Sequence, residues 1–127
     1  MPNTEQVVAA RFLDGQALPR GKGDARLDLA RWTTAPGNPY FARAAVNRLW
    51  ANFFGAGLVA PVDDFGAEHT PSPPELLDEL ARTFVASGHD IKFLIRALTS
   101  TRAYHLSSKA NDGRPQEPQL YSRMNVK

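Results

Sequence analysis

The stretch NPYFARAAVNRLWANFFGAGLVAPVDDFGAEHTPSPPELLDEL, residues 38–80, contains two helix starts and the loop between them. Asn38 is a typical N-cap residue, and Pro39 would occupy the first helical position, where an amide has no intrahelical partner. Apolar residues then recur with a period of about 3.6 residues up to Phe54. Gly55 follows and tolerates the positive φ of many helix ends. The stretch therefore predicts a helix that begins at Asn38 and ends at about Phe54.

A second capping pattern starts the next helix. Ser72 and Glu75 have the spacing of a capping box, in which each side chain accepts from a free amide at the helix start. The apolar stripe that follows ends at Gly88. Asp90 can cap a third main helix, which has two apolar faces, one of them containing Phe93. We therefore expect burial on both sides of this third helix.

The flanking segments define the organisation of the chain. Residues 1–23 predict an extended arm and a loop, with Asp14-Gly15 as a turn signal. Residues 24–108 predict the helical domain, which opens with a short helix. Residues 109–127 predict a linker and the start of a further helical segment, so we expect the domain to be incomplete on its C-terminal side. The predicted class is all-α, a small irregular helical bundle with an extended N-terminal arm and a loop-rich C-terminal tail.

Composition excludes several kinds of site. The 127 residues include no cysteine, so the chain itself offers no disulfide, no thiolate ligand and no c-type haem attachment. No apolar run approaches the ~20 residues of a membrane span, and no signal peptide pattern is visible. The 15 basic and 13 acidic residues are mixed along the chain, which argues against a basic nucleic-acid-binding arm.

Two polar residues interrupt the apolar arc of the helix that ends at Phe54. Arg43 falls inside this arc, and Asn47 lies one turn later. A buried guanidinium needs a carboxylate partner, and Asp63 and Asp64 in the following loop are the expected ones. Two interpretations stay open. The four residues form either a structural ion pair that holds the loop on the helix or a subsite for an anion or substrate.

The same loop contains the only local grouping of residue types that bind hard metal ions. These are Asp63, Asp64, Glu68 and His69. A calcium loop would require further oxygen ligands at regular positions, and Gly66 alone does not complete that pattern. The alternative is a solvated turn in which Asp64 caps the backbone. We predict no metal site and no cofactor site, and these four residues are the candidates that a metal ion would use.

The order of the motifs resembles a known family. The matching segments are Arg26-x-x-Leu29-Ala30-x-Trp32, Asn38-Pro39-x-Phe41-Ala42-Arg43-x-x-Val46-Asn47-Arg48-x-Trp50, Phe54-Gly55-x-Gly57-Leu58-Val59, Asp63-Asp64-Phe65-Gly66, Pro71-Ser72-x-Pro74-Glu75-Leu76-Leu77-Asp78 and Ser100-x-x-Ala103-Tyr104. They resemble the C-terminal PSD domain of planctomycete-type exported proteins, a domain of unknown function (DUF1553). The resemblance covers residues 24–108. Pro73 departs from it, because relatives commonly have histidine there, so no role of that histidine carries over.

The resemblance implies a larger protein around this segment. It implies an upstream partner domain, export to the periplasm or cell envelope, and often a cytochrome-c-like segment whose haem c would lie elsewhere in the polypeptide. We expect the partners to be other domains of the same polypeptide. The predicted function is a structural or binding module of unknown molecular activity.

Two alternatives stay open. One is part of an enzyme of a redox or polysaccharide-processing system, with Arg43, Asn47, Asp63 and Asp64 lining a site that other sequence completes. The other is a basic helical nucleic-acid-binding module.

Overall fold

The computed structural model describes residues 8–18, 23–66, 68–109 and 120–124. In these residues four helices follow one another: α1 (Ala25–Thr33), α2 (Phe41–Phe54), α3 (Pro74–Ala86) and α4 (Ile91–Thr99). The described residues contain an isolated antiparallel bridge between Arg11 and Ala17. They contain no β-strand of greater length. The predicted all-α class is confirmed. The chain divides into two compact units, residues 1–38 and 39–127.

The arm of the first unit turns at the predicted Asp14-Gly15 signal. Gly15 has a φ of 84°, which a side chain would strain. The ring of Phe12 stacks on that of Trp32, with centroids 5.0 Å apart. The indole Nε1 of Trp32 donates to Oδ2 of Asp14 at 2.8 Å. These contacts join the arm to α1.

Helix α1 is the short helix expected at the start of the domain, and it buries none of its residues. Asp24 is the N-cap, and its Oδ1 accepts from the backbone N–H of Arg26 at 2.9 Å. Leu27 and Leu29 are 48% and 51% exposed. The helix therefore owes little of its stability to a hydrophobic core.

Helix α2 begins at Phe41, with Tyr40 at the N-cap position. The prediction of Asn38 as N-cap was therefore wrong, because the N-cap is Tyr40, with a φ of −99° and a ψ of −47°. Asn38 lies at the end of the first unit, and its Nδ2 donates to the carbonyl oxygen of Trp32 at 3.0 Å. The predicted end holds, since Gly55 takes a φ of 82° after Phe54.

The second unit is built on α2, which packs against α3 and α4. Its core consists of apolar side chains from all three helices and from the loop after α2: Ala42, Val46, Trp50, Phe54, Leu58, Val59, Leu77, Ala81, Phe84, Leu94 and Leu98. Burying a leucine-sized side chain stabilises a fold by about 2 kcal/mol. Two loop residues, Leu58 and Val59, therefore contribute as much as helical ones.

The start of α3 differs from the predicted capping box. Pro73 is the N-cap and Pro74 the first helical residue. The capping box needs the N–H of Ser72 to bond the Glu75 side chain. That N–H instead donates to the carbonyl of Leu58 at 2.9 Å. The prediction was wrong because the N–H is used to hold the loop after α2.

The start of α4 agrees with the sequence, but its second face does not. Oδ1 of Asp90 accepts from the N–H of Phe93 at 3.0 Å, as an N-cap does. Leu94 and Leu98 are buried in the core, whereas Phe93 is 36% exposed. The expected burial on both sides of α4 is therefore not found among the described residues.

Tyr121 packs on the C-terminal end of α2. The hydroxyl of Tyr121 donates to the carbonyl oxygens of Gly57 at 2.8 Å and Ala56 at 3.3 Å. Its ring lies edge-on to Trp50 and Phe54, with centroids 5.2 and 6.0 Å apart. Tyr121 thus joins the aromatic core to the loop that follows it.

Because Tyr121 is partly buried, the free energy of unfolding should change with pH in the alkaline range. Burial raises the pKa of the phenol above its ordinary 10.0, and the nearby indole N–H of Trp50, which is not aligned for a hydrogen bond, acts in the opposite direction. The folded state therefore favours the neutral phenol, so this stabilisation is complete below pH 10.0 and is lost as pH rises through the folded-state pKa.

We predict that the wild-type chain loses more stability than Tyr121→Phe between about pH 9 and about pH 11. Urea unfolding of both proteins across this range measures the difference, because other titrating groups are common to the two. Parallel curves would contradict the prediction.

Candidate functional site

The side chain of Asn47 is fully buried and bonded to the loop after α2. Its Oδ1 accepts from the N–H of Val59 at 3.0 Å. Its Nδ2 donates to the carbonyl oxygens of Val59 at 3.0 Å and of Val62 at 2.8 Å. Both amide hydrogens and the amide oxygen are therefore used, and none of the side chain is exposed. The geometry gives Asn47 the work of holding this loop on α2.

Gly57 allows the loop to approach Asn47. A Cβ atom at this glycine would lie 2.5 Å from the carbonyl oxygen of Val59 and 3.0 Å from Oδ1 of Asn47. The first distance is shorter than any ordinary van der Waals contact, and it involves backbone that is already bonded. A glycine is therefore required where the loop folds over the asparagine.

Arg43 contacts a different carboxylate from the expected one. Its Nε lies 3.1 Å from Oδ1 of Asp78 on α3, although the N–H is not aligned for a hydrogen bond. The expected partners, Asp63 and Asp64, pair elsewhere. Packing of α2 against α3 brings Asp78 to Arg43, whose Nε is buried. Because these side chains are 36% and 54% exposed, the pair contributes at most about 1 kcal/mol.

Asp63 pairs with Arg48, a residue that the sequence did not single out. Oδ1 of Asp63 accepts from Nε of Arg48 at 2.7 Å, and this carboxylate raises the pKa of the guanidinium. Both side chains are largely exposed. Arg48 directly follows Asn47 in the sequence. Asn47 binds the loop from the core, and Arg48 binds it at the surface.

A groove runs beside the Arg48–Asp63 pair. It has a volume of about 460 Å³. Four of its six lining side chains are apolar, and the complete lining is Phe41, Ala44, Ala45, Arg48, Asp63 and Phe65. The two alanines and Phe41 come from α2, and Phe65 comes from the loop that Asn47 holds. We call this surface the α2 groove.

The proposed metal candidates do not converge on one point. Oδ2 of Asp64 lies 3.3 Å from Nδ1 of His69, and Oδ1 accepts from the N–H of Gly66 at 3.0 Å, as in the predicted capped turn. Glu68 lines the same shallow depression of about 290 Å³. Asp63 is directed to Arg48 instead. Within the part of the chain that the structure describes, no three histidine or carboxylate side chains are grouped as metal ligands.

The fold and its surface define a small all-α domain with an apolar groove on its central helix. Within the described ranges no helix has the length and apolar character needed to cross a membrane. The chain belongs to the PSD1 family, described as a protein of unknown function (DUF1553), whose family model matches residues 25–127. The resemblance seen in the sequence is therefore confirmed. Neither the curated proteins nor the solved structures contain a match.

Asn47→Asp tests whether Asn47 holds the loop. The variant keeps the shape and the acceptor but replaces two donated hydrogen bonds by a carboxylate that faces two carbonyl oxygens. We predict a loss of about 2–4 kcal/mol in the free energy of unfolding, measured with urea. The reverse exchange at the exposed residue, Asp63→Asn, is the control and should cost less than about 1 kcal/mol. Equal losses in the two variants would contradict this role.

Gly57→Ala tests the close approach of the loop. The added methyl group has no space beside the Val59 carbonyl, so we predict a loss of about 2 kcal/mol in the free energy of unfolding. Gly37→Ala is the matched control, because a Cβ there meets nothing within 4 Å. Thermal unfolding of both variants measures the effect. The prediction fails if Gly57→Ala is as stable as Gly37→Ala.

Proposed function

We propose that this chain is a binding module whose α2 groove holds an apolar segment of another domain of the same polypeptide. The observation that carries the proposal is the groove itself. It is open, mostly apolar and about 460 Å³ in volume, and it lies beside the Arg48–Asp63 ion pair.

The chemistry of the lining favours an apolar occupant. Phe41, Ala44, Ala45 and Phe65 are all partly buried, so the groove presents apolar surface that a ligand can remove from water. Arg48 and Asp63 already neutralise each other at its edge. A charged ligand would have to displace one of them, whereas an apolar side chain would not.

The loop anchor prepares the groove for binding. Asn47 bonds the backbone of Val59 and Val62, and Arg48 bonds the side chain of Asp63. The loop is therefore held at three positions before it reaches Phe65. A surface that is already ordered loses less conformational entropy when a partner binds. The groove therefore has the property expected of a docking surface rather than of a mobile loop.

The polar residues named as an enzyme site have separate partners. Arg43 pairs with Asp78, Asn47 bonds backbone groups inside the core, and Asp64 lies against His69. The four candidates do not share one cavity among the described residues. This arrangement supports a binding module better than it supports the enzyme alternative.

The family resemblance extends the proposal beyond this chain. It supports an exported parent protein of planctomycete type with an upstream partner domain. It also supports a haem c carried by a cytochrome-like segment elsewhere in that polypeptide. The domain division at residues 24–108 belongs to the same proposal.

A photo-crosslinking experiment in the full-length protein tests the groove. A benzoyl-phenylalanine at Ala44 should form a crosslink to another domain of the same polypeptide, located by mass spectrometry. The same residue at Ala86, which is exposed at the end of α3, is the control and should not. Ala45→Leu, which fills the groove, should reduce the crosslink from Ala44. Equal labelling from both positions, or none from Ala44, would contradict the proposal.

A further inference from the structure

The charges of the second unit divide at the start of α4. Residues 63–90 contain seven acidic residues, Asp63, Asp64, Glu68, Glu75, Asp78, Glu79 and Asp90, against one basic residue, Arg82. Residues 91–109 contain four basic residues and no acidic one: Lys92, Arg96, Arg102 and Lys109. A segment of nineteen residues without a carboxylate is a local feature that the balanced net charge of +2 conceals.

Ion pairing follows the same division. Arg43, Arg48 and Arg82 each have a carboxylate oxygen within 3.1 Å of a guanidinium nitrogen. Among the described residues, no carboxylate pairs with any of the four basic side chains of residues 91–109. The three cations of the second unit that precede Asp90 are therefore paired inside the unit, whereas those of residues 91–109 have no carboxylate partner among the described residues and can pair with an outside partner.

Two of these cations and Phe93 share one face of α4. Leu94 and Leu98 are buried against the core, and 100° per residue places Lys92, Phe93 and Arg96 on the opposite side. All three are exposed. Arg96 lies one turn from both of the others, so an aromatic ring and two cations form one surface. We call it the α4 face.

The residues of the α4 face do not favour the stability of the helix by itself. Lys92 and Arg96 are like charges at positions i and i+4, which destabilises a helix by a few tenths of a kcal/mol. Phe93 leaves 36% of its surface exposed to water. A partner that supplies carboxylates and apolar contact would relieve both effects at once.

We propose that the α4 face docks a short acidic segment of a separate protein, one that carries apolar side chains among its carboxylates. Arginine and phenylalanine are enriched at protein interfaces, and paired charges there govern specificity and association rate. A small, strongly charged surface is typical of transient interfaces rather than of permanent ones, which are larger and more apolar. This occupant therefore differs from the apolar domain segment proposed for the α2 groove.

The surroundings of the face favour a short acidic peptide over a long polyanion. Helix α4 has nine residues, so it extends for about 14 Å. A nucleic acid or an anionic membrane would extend beyond it. Helix α3, which packs against α4, carries Glu75, Asp78 and Glu79. Asp78 and Glu79 pair with Arg43 and Arg82, so Glu75 is the α3 carboxylate that would repel an extended anionic surface, whereas a short segment can avoid it.

Fluorescence anisotropy with three probes tests the proposal on the whole chain. The probes are a labelled peptide of alternating glutamate and leucine, a single-stranded DNA of about 20 nucleotides, and phosphatidylserine-containing vesicles. We expect the peptide to bind most tightly. Lys92→Glu with Arg96→Glu should weaken it about tenfold or more, and Phe93→Ala about threefold. Peptide affinity should also fall when salt rises from about 50 to about 200 mM.

Arg26→Glu with Arg31→Glu is the control, because it changes the net charge equally on exposed residues of α1. It should leave peptide binding unchanged. The proposal is overturned if this control weakens binding as much as the α4 variant, or if Phe93→Ala has no effect. Tighter binding of DNA or vesicles than of peptide, or binding of no probe, would also overturn it. Circular dichroism confirms that each variant is folded.

Discussion

The buried amide of Asn47 is the interaction on which the second unit depends. It exchanges hydrogen bonds with both backbone groups of Val59 and donates to the carbonyl of Val62. Without them, buried backbone groups of a loop would be left unpaired, at a cost of about 1–3 kcal/mol each. With them, Leu58 and Val59 can enter the core beside helical residues. One side chain thus turns a connection between helices into part of the core.

The same anchor accounts for the surface as well as the interior. Tyr121 bonds the loop at Gly57 from one direction, and Asn47 holds it from the other. The chain then continues to Asp63, which Arg48 fixes, and to Phe65, which lines the α2 groove. Asn47 and Arg48 are neighbours in the sequence, and the first faces the core while the second faces solvent. The residues that hold the loop therefore also position the α2 groove.

Periodicity was sufficient to predict α2, α3 and α4, because each has an apolar stripe and a local stop or start such as Asp90. It could not predict which helices lie side by side. The pairing of Arg43 with Asp78 depends on α2 meeting α3, and the failed capping box depends on Leu58 taking the N–H of Ser72. Both are long-range contacts that compete with local ones. The α4 face is likewise visible in the helical pattern of the sequence, but that pattern does not show what the face binds.

Amide hydrogen exchange at Val59 tests the central claim most directly. If Asn47 anchors the loop, the Val59 N–H exchanges as slowly as the core amides of α2, such as that of Trp50, because both require global unfolding. The N–H of the adjacent exposed residue, Ala60, should exchange much faster. A Val59 amide that exchanges as fast as that of Ala60 would contradict the account, since the loop would then open independently of the core.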